Sequence, residues 1–232
     1  MIGNKHIAEI LQKEYDVKDL TPYEEIDYEI QKFTDEISRV KITSKTNRNF
    51  CCPVYAIFDG YNMSWYGDYG SWVFNCTWKT NISNLAYESP YYQLEKLDSR
   101  EREEFNEEEC RKKLLKIIKD GDWYNYDLTE EQKKRFDEFI EDEFDYISYY
   151  DDVLSDHKDI CDLLQQLVKA TCDEFEWVSA IRHNDLDEYD FGNVFGYEEY
   201  ELYNIGKKAP SRFFIILYML SVVAAKEGES NG

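Results

Sequence analysis

The sequence carries no familiar catalytic signature. It has no G-x-x-x-x-G-K-[ST] loop, no G-x-G-x-x-G, no G-x-S-x-G and no H-E-x-x-H. That removes the common nucleotide-binding, serine-hydrolase and zinc-protease arrangements. Histidine, the usual general base near neutral pH, occurs only as His6, His157 and His183, none of them in a motif. The six cysteines include the adjacent Cys51 and Cys52 but no C-x-x-C. With no cleavable apolar leader in MIGNKHIAEI, they read as reduced, mostly buried thiols of a cytoplasmic protein. The longest apolar run, Phe213 to Ala225, has 13 residues. About 20 are needed to span a bilayer, so a buried helix is expected and no membrane contact. No cofactor-binding pattern is present.

Bases are the other shortage, and it is local. The chain has 49 acids and 27 bases over 232 residues, a net charge of −22. Residues 98–204 hold 33 acids and 13 bases, a net of −20. From Phe136 to Glu201 there are 21 acids and only Lys158, Lys169 and Arg182 as bases. Charge of this size favours solubility but opposes the compact state through self-repulsion. Its confinement to one region asks for a regional cause.

The apolar fraction, 43%, suffices for a core. The pattern predicts one α+β domain over 1–232, mostly helical, with a small antiparallel sheet at about 38–97 and acidic helices packed around it. Two helices are expected within residues 1–37. His6 to Tyr15 carries Ile7, Ile10 and Leu11 on one face. A second helix opens at Thr21-Pro22, with Ile26, Ile30, Phe33 and Ile37 as its stripe. Arg39 to Thr43, Pro53 to Phe58 and Trp72 to Trp78 read as strands. GYNMSWYGDYG reads as a hairpin connection, and Tyr91 to Leu94 as an extension of the sheet. In the acidic helical region 98–204, helices are expected from Asp98 (capped with Glu101) to Gly121, from Thr129 (boxed with Gln132) to about Tyr150, and from Leu154 to Ala170. Residues 171–205 are the least legible. Pro210-Ser211 opens a buried terminal helix over 209–227.

The helix from Thr129 concentrates the charge. With Phe136, Phe139, Ile140, Phe144 and Ile147 on its apolar face, Asp137, Glu138, Glu141, Asp142 and Asp145 remain outside. Like charges three or four residues apart cost a few tenths of a kcal/mol per pair. Lys133, Lys134 and Arg135 stand only in its first turns, where the helix dipole disfavours them. The predicted partner-binding set is these five acids with Tyr149, Tyr150, Asp151, Asp152 and Asp156. Acids on successive turns approximate a duplex backbone, which carries one charge per roughly 1.7 Å of axis. Tyrosines interleaved with them, including Tyr124, Tyr126 and Tyr197, are candidate anchors.

In composition the chain resembles the nucleic-acid-mimic inhibitors that phages and mobile elements use against host defence, such as anti-restriction and some anti-CRISPR proteins. The resemblance is of class and rests on no shared motif. It implies a basic nucleic-acid-binding protein or defence complex as partner, occupied sterically, with no direct binding of nucleic acid and no catalysis. Two further readings stand beside it. An immunity protein or antitoxin against a basic nuclease toxin would carry the same surface. A small metal-dependent hydrolase would use His183, Asp185, Asp187 and Asp190. That loop fails the calcium-binding pattern, since Tyr189 and Gly192 fall at the wrong positions.

Overall fold

The terminal helix Ser211–Ser230 organises the first half of the molecule. Its run from Phe213 to Leu220 is buried throughout, as a helix apolar on every side requires. It packs in one core cluster with the N-terminal helix Lys5–Glu14 and the inner face of a five-stranded sheet. This computed structural model describes residues 3–45, 53–85, 89–97, 102–141, 153–184, 186, 191–197 and 199–230. The protein is α+β, 54% helical, with one five-stranded antiparallel sheet. Its contacts separate into two compact units: residues 1–104 with 209–232, and residues 105–208.

In the first unit the strands run in chain order as a meander: β1 (Ile26–Lys32), β2 (Ile37–Ser44), β3 (Val54–Asp59), β4 (Asn62–Gly67) and β5 (Gly70–Asn75). Alternation sets the faces. Val40, Ile42, Val54, Ala56, Phe58, Met63, Trp65, Trp72 and Phe74 point to the core. Tyr55 and Tyr66, paired across β3 and β4, stack on the other face with ring centroids 4.8 Å apart. Gly67 takes φ +143°, and a Cβ there would lie 2.3 Å from the Pro53 carbonyl oxygen. No larger residue fits that position without displacing the backbone of Pro53 and Val54.

Three sequence expectations change here. The helix opened by Thr21-Pro22 ends at Glu24, and Ile26 to Lys32 is a strand. The stripe Ile26, Ile30, Phe33, Ile37 has helical spacing, but Ile26, Tyr28 and Ile30 also alternate with Asp27, Glu29 and Gln31. Pairing with β2 selects that second period. The supposed connection GYNMSWYGDYG contains all of β4. Its turns are the short links at Gly60-Tyr61, with Gly60 at φ +58°, and at Asp68-Tyr69, followed by Gly70 at φ +109°. Tyr91 to Leu94 lies in a short helix, Pro90–Glu95, because proline at its first turn presets helical φ. Only Leu97 bridges to Phe74.

The second unit is built from helices around a core of its own. Glu107–Asp120 is capped by Asn106, whose side chain accepts from the Glu109 N–H at 2.8 Å. The proposed cap Asp98 and Glu101 lie outside the described residues. Gly121 ends the helix as expected. A π-helical turn, Trp123–Asp127, leads to Glu130–Glu141. Lys158–Ala170 begins one turn later than Leu154, after the 3-10 turn Ser155–His157. Glu174–His183 was not legible, although Asp173 caps it by accepting from Phe175 N–H at 2.8 Å. Trp177 on this helix is buried and donates its indole N–H to the Leu202 carbonyl at 3.0 Å. The chain enters and leaves through a two-stranded sheet, Glu104–Phe105 with Lys207–Lys208.

Separate cores predict separate responses. Leu164 is fully buried in the second core, and Leu164→Ala is expected to cost about 2–5 kcal/mol. Amide hydrogen exchange on the whole chain should show the lost protection within 105–208 and unchanged protection in β2, β3 and the terminal helix.

Candidate acidic interface

The helix Glu130–Glu141 opens with the capping box read from the sequence. Thr129 N–H donates to Gln132 Oε1 at 2.9 Å, and Gln132 N–H donates back to Thr129 Oγ1 at 3.3 Å. The box sets the helix phase, turning Phe136 into the core against Trp123. The next residue, Asp137, is thereby placed at the edge of that core.

Asp137 is committed inside the unit. Tyr124, from the π-helical turn, donates its hydroxyl to Asp137 Oδ2 at 3.0 Å. Lys119, from the preceding helix, places its ammonium 3.0 Å from Oδ1. One carboxylate thus ties three elements together. Burial first, and then the hydrogen bond and negative charge of Asp137, push the Tyr124 phenol up to about 12.

The badly placed bases of the first turns also find partners. Lys133 Nζ lies 3.1 Å from the Asn125 carbonyl and 3.0 Å from Glu130. Arg135 and Lys134 reach Glu138 at 3.1 and 3.9 Å. The two pairs on Glu138 are exposed, each worth about 0–1 kcal/mol. They nonetheless change the local sum, since Glu138 is accompanied by two cations.

Of the ten predicted interface residues, Asp137 is half-buried and bonded, Glu138 is exposed and paired, and Asp156 is exposed on the turn before Lys158–Ala170. Glu141 ends the described helix, and its side chain lies outside the described residues. Asp142, Asp145, Tyr149, Tyr150, Asp151 and Asp152 lie outside them entirely. Among the candidate anchors, Tyr124 is turned inward by its bond to Asp137, whereas Tyr126, two residues on, is 81% exposed. Phe175 was missed and is 76% exposed. The signal was present: Trp177, two residues later, faces the core, so Phe175 lies on the opposite side of the helix, among the exposed acids Asp173, Glu174 and Glu176.

His157 and His183 are hydrogen-bonded, and Cys110 is buried. His157 Nδ1 accepts the Trp123 indole N–H at 3.3 Å. His183 is exposed, with Nδ1 2.7 Å from the Ser179 carbonyl oxygen, while Asp185, Asp187 and Asp190 lie outside the described residues. Burial pushes the Cys110 thiol up to about 12, far from the thiolate a nucleophile needs. Among the described residues no three His, Cys, Asp or Glu side chains are grouped as metal ligands, and no helix is long and apolar enough to cross a membrane.

The Tyr124 environment gives a pH test. A phenol whose folded pKa is raised contributes stability that is complete below its unfolded value of about 10. That contribution is lost as pH climbs towards 12. Asp137→Asn removes the negative charge, so phenolate absorbance should show Tyr124 titrating lower than in the parent. An unchanged titration would show that Asp137 does not hold this phenol. No protein family, curated protein or solved structure matches this chain.

Proposed function

We propose that residues 105–208 are an acidic protein-binding module that occupies the basic nucleic-acid site of a nuclease or a nucleic-acid-guided defence complex. The protein would act as an inhibitor by steric occupation. One coincidence carries this reading. The unit with its own core holds 29 acids and 13 bases, a net of −16, while the remaining 128 residues carry −6. A charge excess that follows a structural boundary is what a dedicated binding surface requires. A solubility device needs far less, about 2–8 charges for a small domain.

The internal pairs refine the proposed surface. Asp137 acts as a positioning residue through Tyr124 and Lys119. Glu141, Asp142, Asp145, Asp151, Asp152 and Asp156 are the proposed contacts, with Glu138 at their edge. Tyr149 and Tyr150 are the proposed anchors, joined by Tyr126 and Phe175. Acids would speed encounter with a basic partner, and desolvated aromatics would slow release.

The test is a pull-down with the whole chain from host lysate, followed by an activity assay on the recovered enzyme. Binding should weaken at least roughly tenfold between about 50 and 200 mM salt, as charge-driven association does. Combined reversal of Glu138, Glu141, Asp142 and Asp145 to lysine should abolish inhibition while leaving the melting transition in place. Normal inhibition by that variant would remove this helix from the interface. A partner with no basic nucleic-acid site would end the mimic reading.

A further inference from the structure

The helix Glu107–Asp120 breaks the charge pattern of its unit. From Cys110 to Lys119 it carries five bases, Arg111, Lys112, Lys113, Lys116 and Lys119, and no acid. Two of them are committed inside the unit: Lys113 lies 3.6 Å from Glu109, and Lys119 is held by Asp137. Arg111, Lys112 and Lys116 have no ion-pair partner among the described residues. Yet acids outnumber bases 29 to 13 in this unit. Positions 112 and 116 are four apart, as are 111 and 115, so these bases and Leu115 share one stripe of the helix.

The stripe borders a hollow. Arg111, Lys112 and Lys116 line a depression of about 620 Å³ together with the half-buried Leu115. Glu108 and Asp120 stand at its two ends, about 18 Å apart along the helix axis. Its middle therefore combines cations with one apolar side chain and the aliphatic stems of the bases themselves.

A projection of opposite character stands on the same unit. Phe175 is 76% exposed, more than any other large side chain without a polar atom among the described residues. Its neighbours Asp173, Glu174 and Glu176 suit a helix N-terminus, which Asp173 caps. Phenylalanine serves no such purpose there, and unlike Tyr126 it has no hydroxyl to meet water. The exposed ring flanked by acids and the hollow flanked by unpaired bases are complementary in charge and in polarity. Phe175, being exposed, does not fill the hollow of its own chain.

We propose that Phe175 of one copy of this chain seats over Leu115 of a second copy, with Glu174 and Glu176 against Arg111, Lys112 and Lys116. The two surfaces differ, so the contact is heterologous. Copies of net charge −22 repel one another at low salt. At about 0.15 M the screening length is about 8 Å, which silences distant charges and keeps those in contact. The inference stands independently of the proposed inhibitor role, because it is read on the purified chain with no partner present. Phe175 is the one residue common to both, so a copy engaged in this contact holds that ring away from the partner.

The test follows the mass of the purified whole chain by sedimentation as its concentration rises to about 1 mM. Reducing conditions keep the exposed Cys172 from cross-linking copies. The parent should self-associate at about 0.15 M salt. Phe175→Ser should stay monomeric, and so should the double variant Lys112→Glu/Lys116→Glu. Lys5→Glu/Lys18→Glu makes the same change of charge at exposed positions of the first unit, and should associate as the parent does. Mixed one to one, the Phe175→Ser chain offers an intact hollow and the Lys112→Glu/Lys116→Glu chain an intact Phe175. That mixture should form a dimer and grow no further. An unchanged melting transition shows that each variant is folded, and Lys112→Gln/Lys116→Gln replaces the reversed pair if it is not. The proposal is overturned by a monomeric parent, by association of either variant alone, or by a mixture that stays monomeric. Contact of Phe175 with Phe175 would give the second of these results, since the Lys112→Glu/Lys116→Glu chain would still dimerise.

Discussion

The contact between the terminal helix and the sheet is the constraint on which the first unit depends. Phe213, Phe214, Ile216, Leu217, Tyr218, Met219 and Leu220 are buried, and a fully buried side chain of this kind contributes roughly 1.5–3 kcal/mol. Polar bonds fix the helix in one register. Tyr218 donates to Glu24 at 2.6 Å and Tyr28 to Glu227 at 2.9 Å, while Asn4 N–H donates to Ser221 Oγ at 2.9 Å. All join residues about 200 positions apart. The core of this unit is completed only by residues beyond 210, so both ends of the chain are needed for it. Such closure is entropically costly before its contacts form.

Electrostatics in the second unit follow a different logic. A net of −16 would oppose folding if every acid behaved alike. Four of its 13 bases are placed against the acids around one helix. Lys119 reaches the half-buried Asp137, and Lys133, Lys134 and Arg135 serve the first turns of one helix. The apparent misplacement of those three against the helix dipole is resolved by their partners: the Asn125 carbonyl within the π-helical turn and the acids at i−3, i+3 and i+4. Among the described residues, these four bases stand beside the helix that opens at Glu130 and the turn before it.

Legibility in the sequence tracked the locality of the signal. The capping box at Thr129 and Gln132, the stop at Gly121 and the apolar terminal helix were readable because each is set by residues a few positions apart. β1 was not, because Ile26 and Ile30 satisfy both periods and the decision lies with Val40 and Ile42 across the ladder. The short helix Pro90–Glu95 was misread from its tyrosines, although Pro90 was the better guide. At the candidate interface, the charge of the acids was legible but not their roles. Nothing in FDEFIED distinguishes Asp137 from Glu138, yet one is a structural link and the other is paired at the surface. That difference is made by Tyr124 and Lys119, which come from two other elements.

The edge strand β1, bonded only to β2 in its sheet, and the acidic module illustrate why a sheet edge and a charged face differ as arguments. A charged face is satisfied by water and ions, so its meaning rests on amount and location. A strand edge presents donors and acceptors in fixed rows, which water satisfies but an added strand matches. Lys226 sits over the first carbonyls of that edge, 2.9 Å from the Glu24 oxygen and 3.5 Å from that of Ile26, and a lysine so placed guards an edge against further pairing.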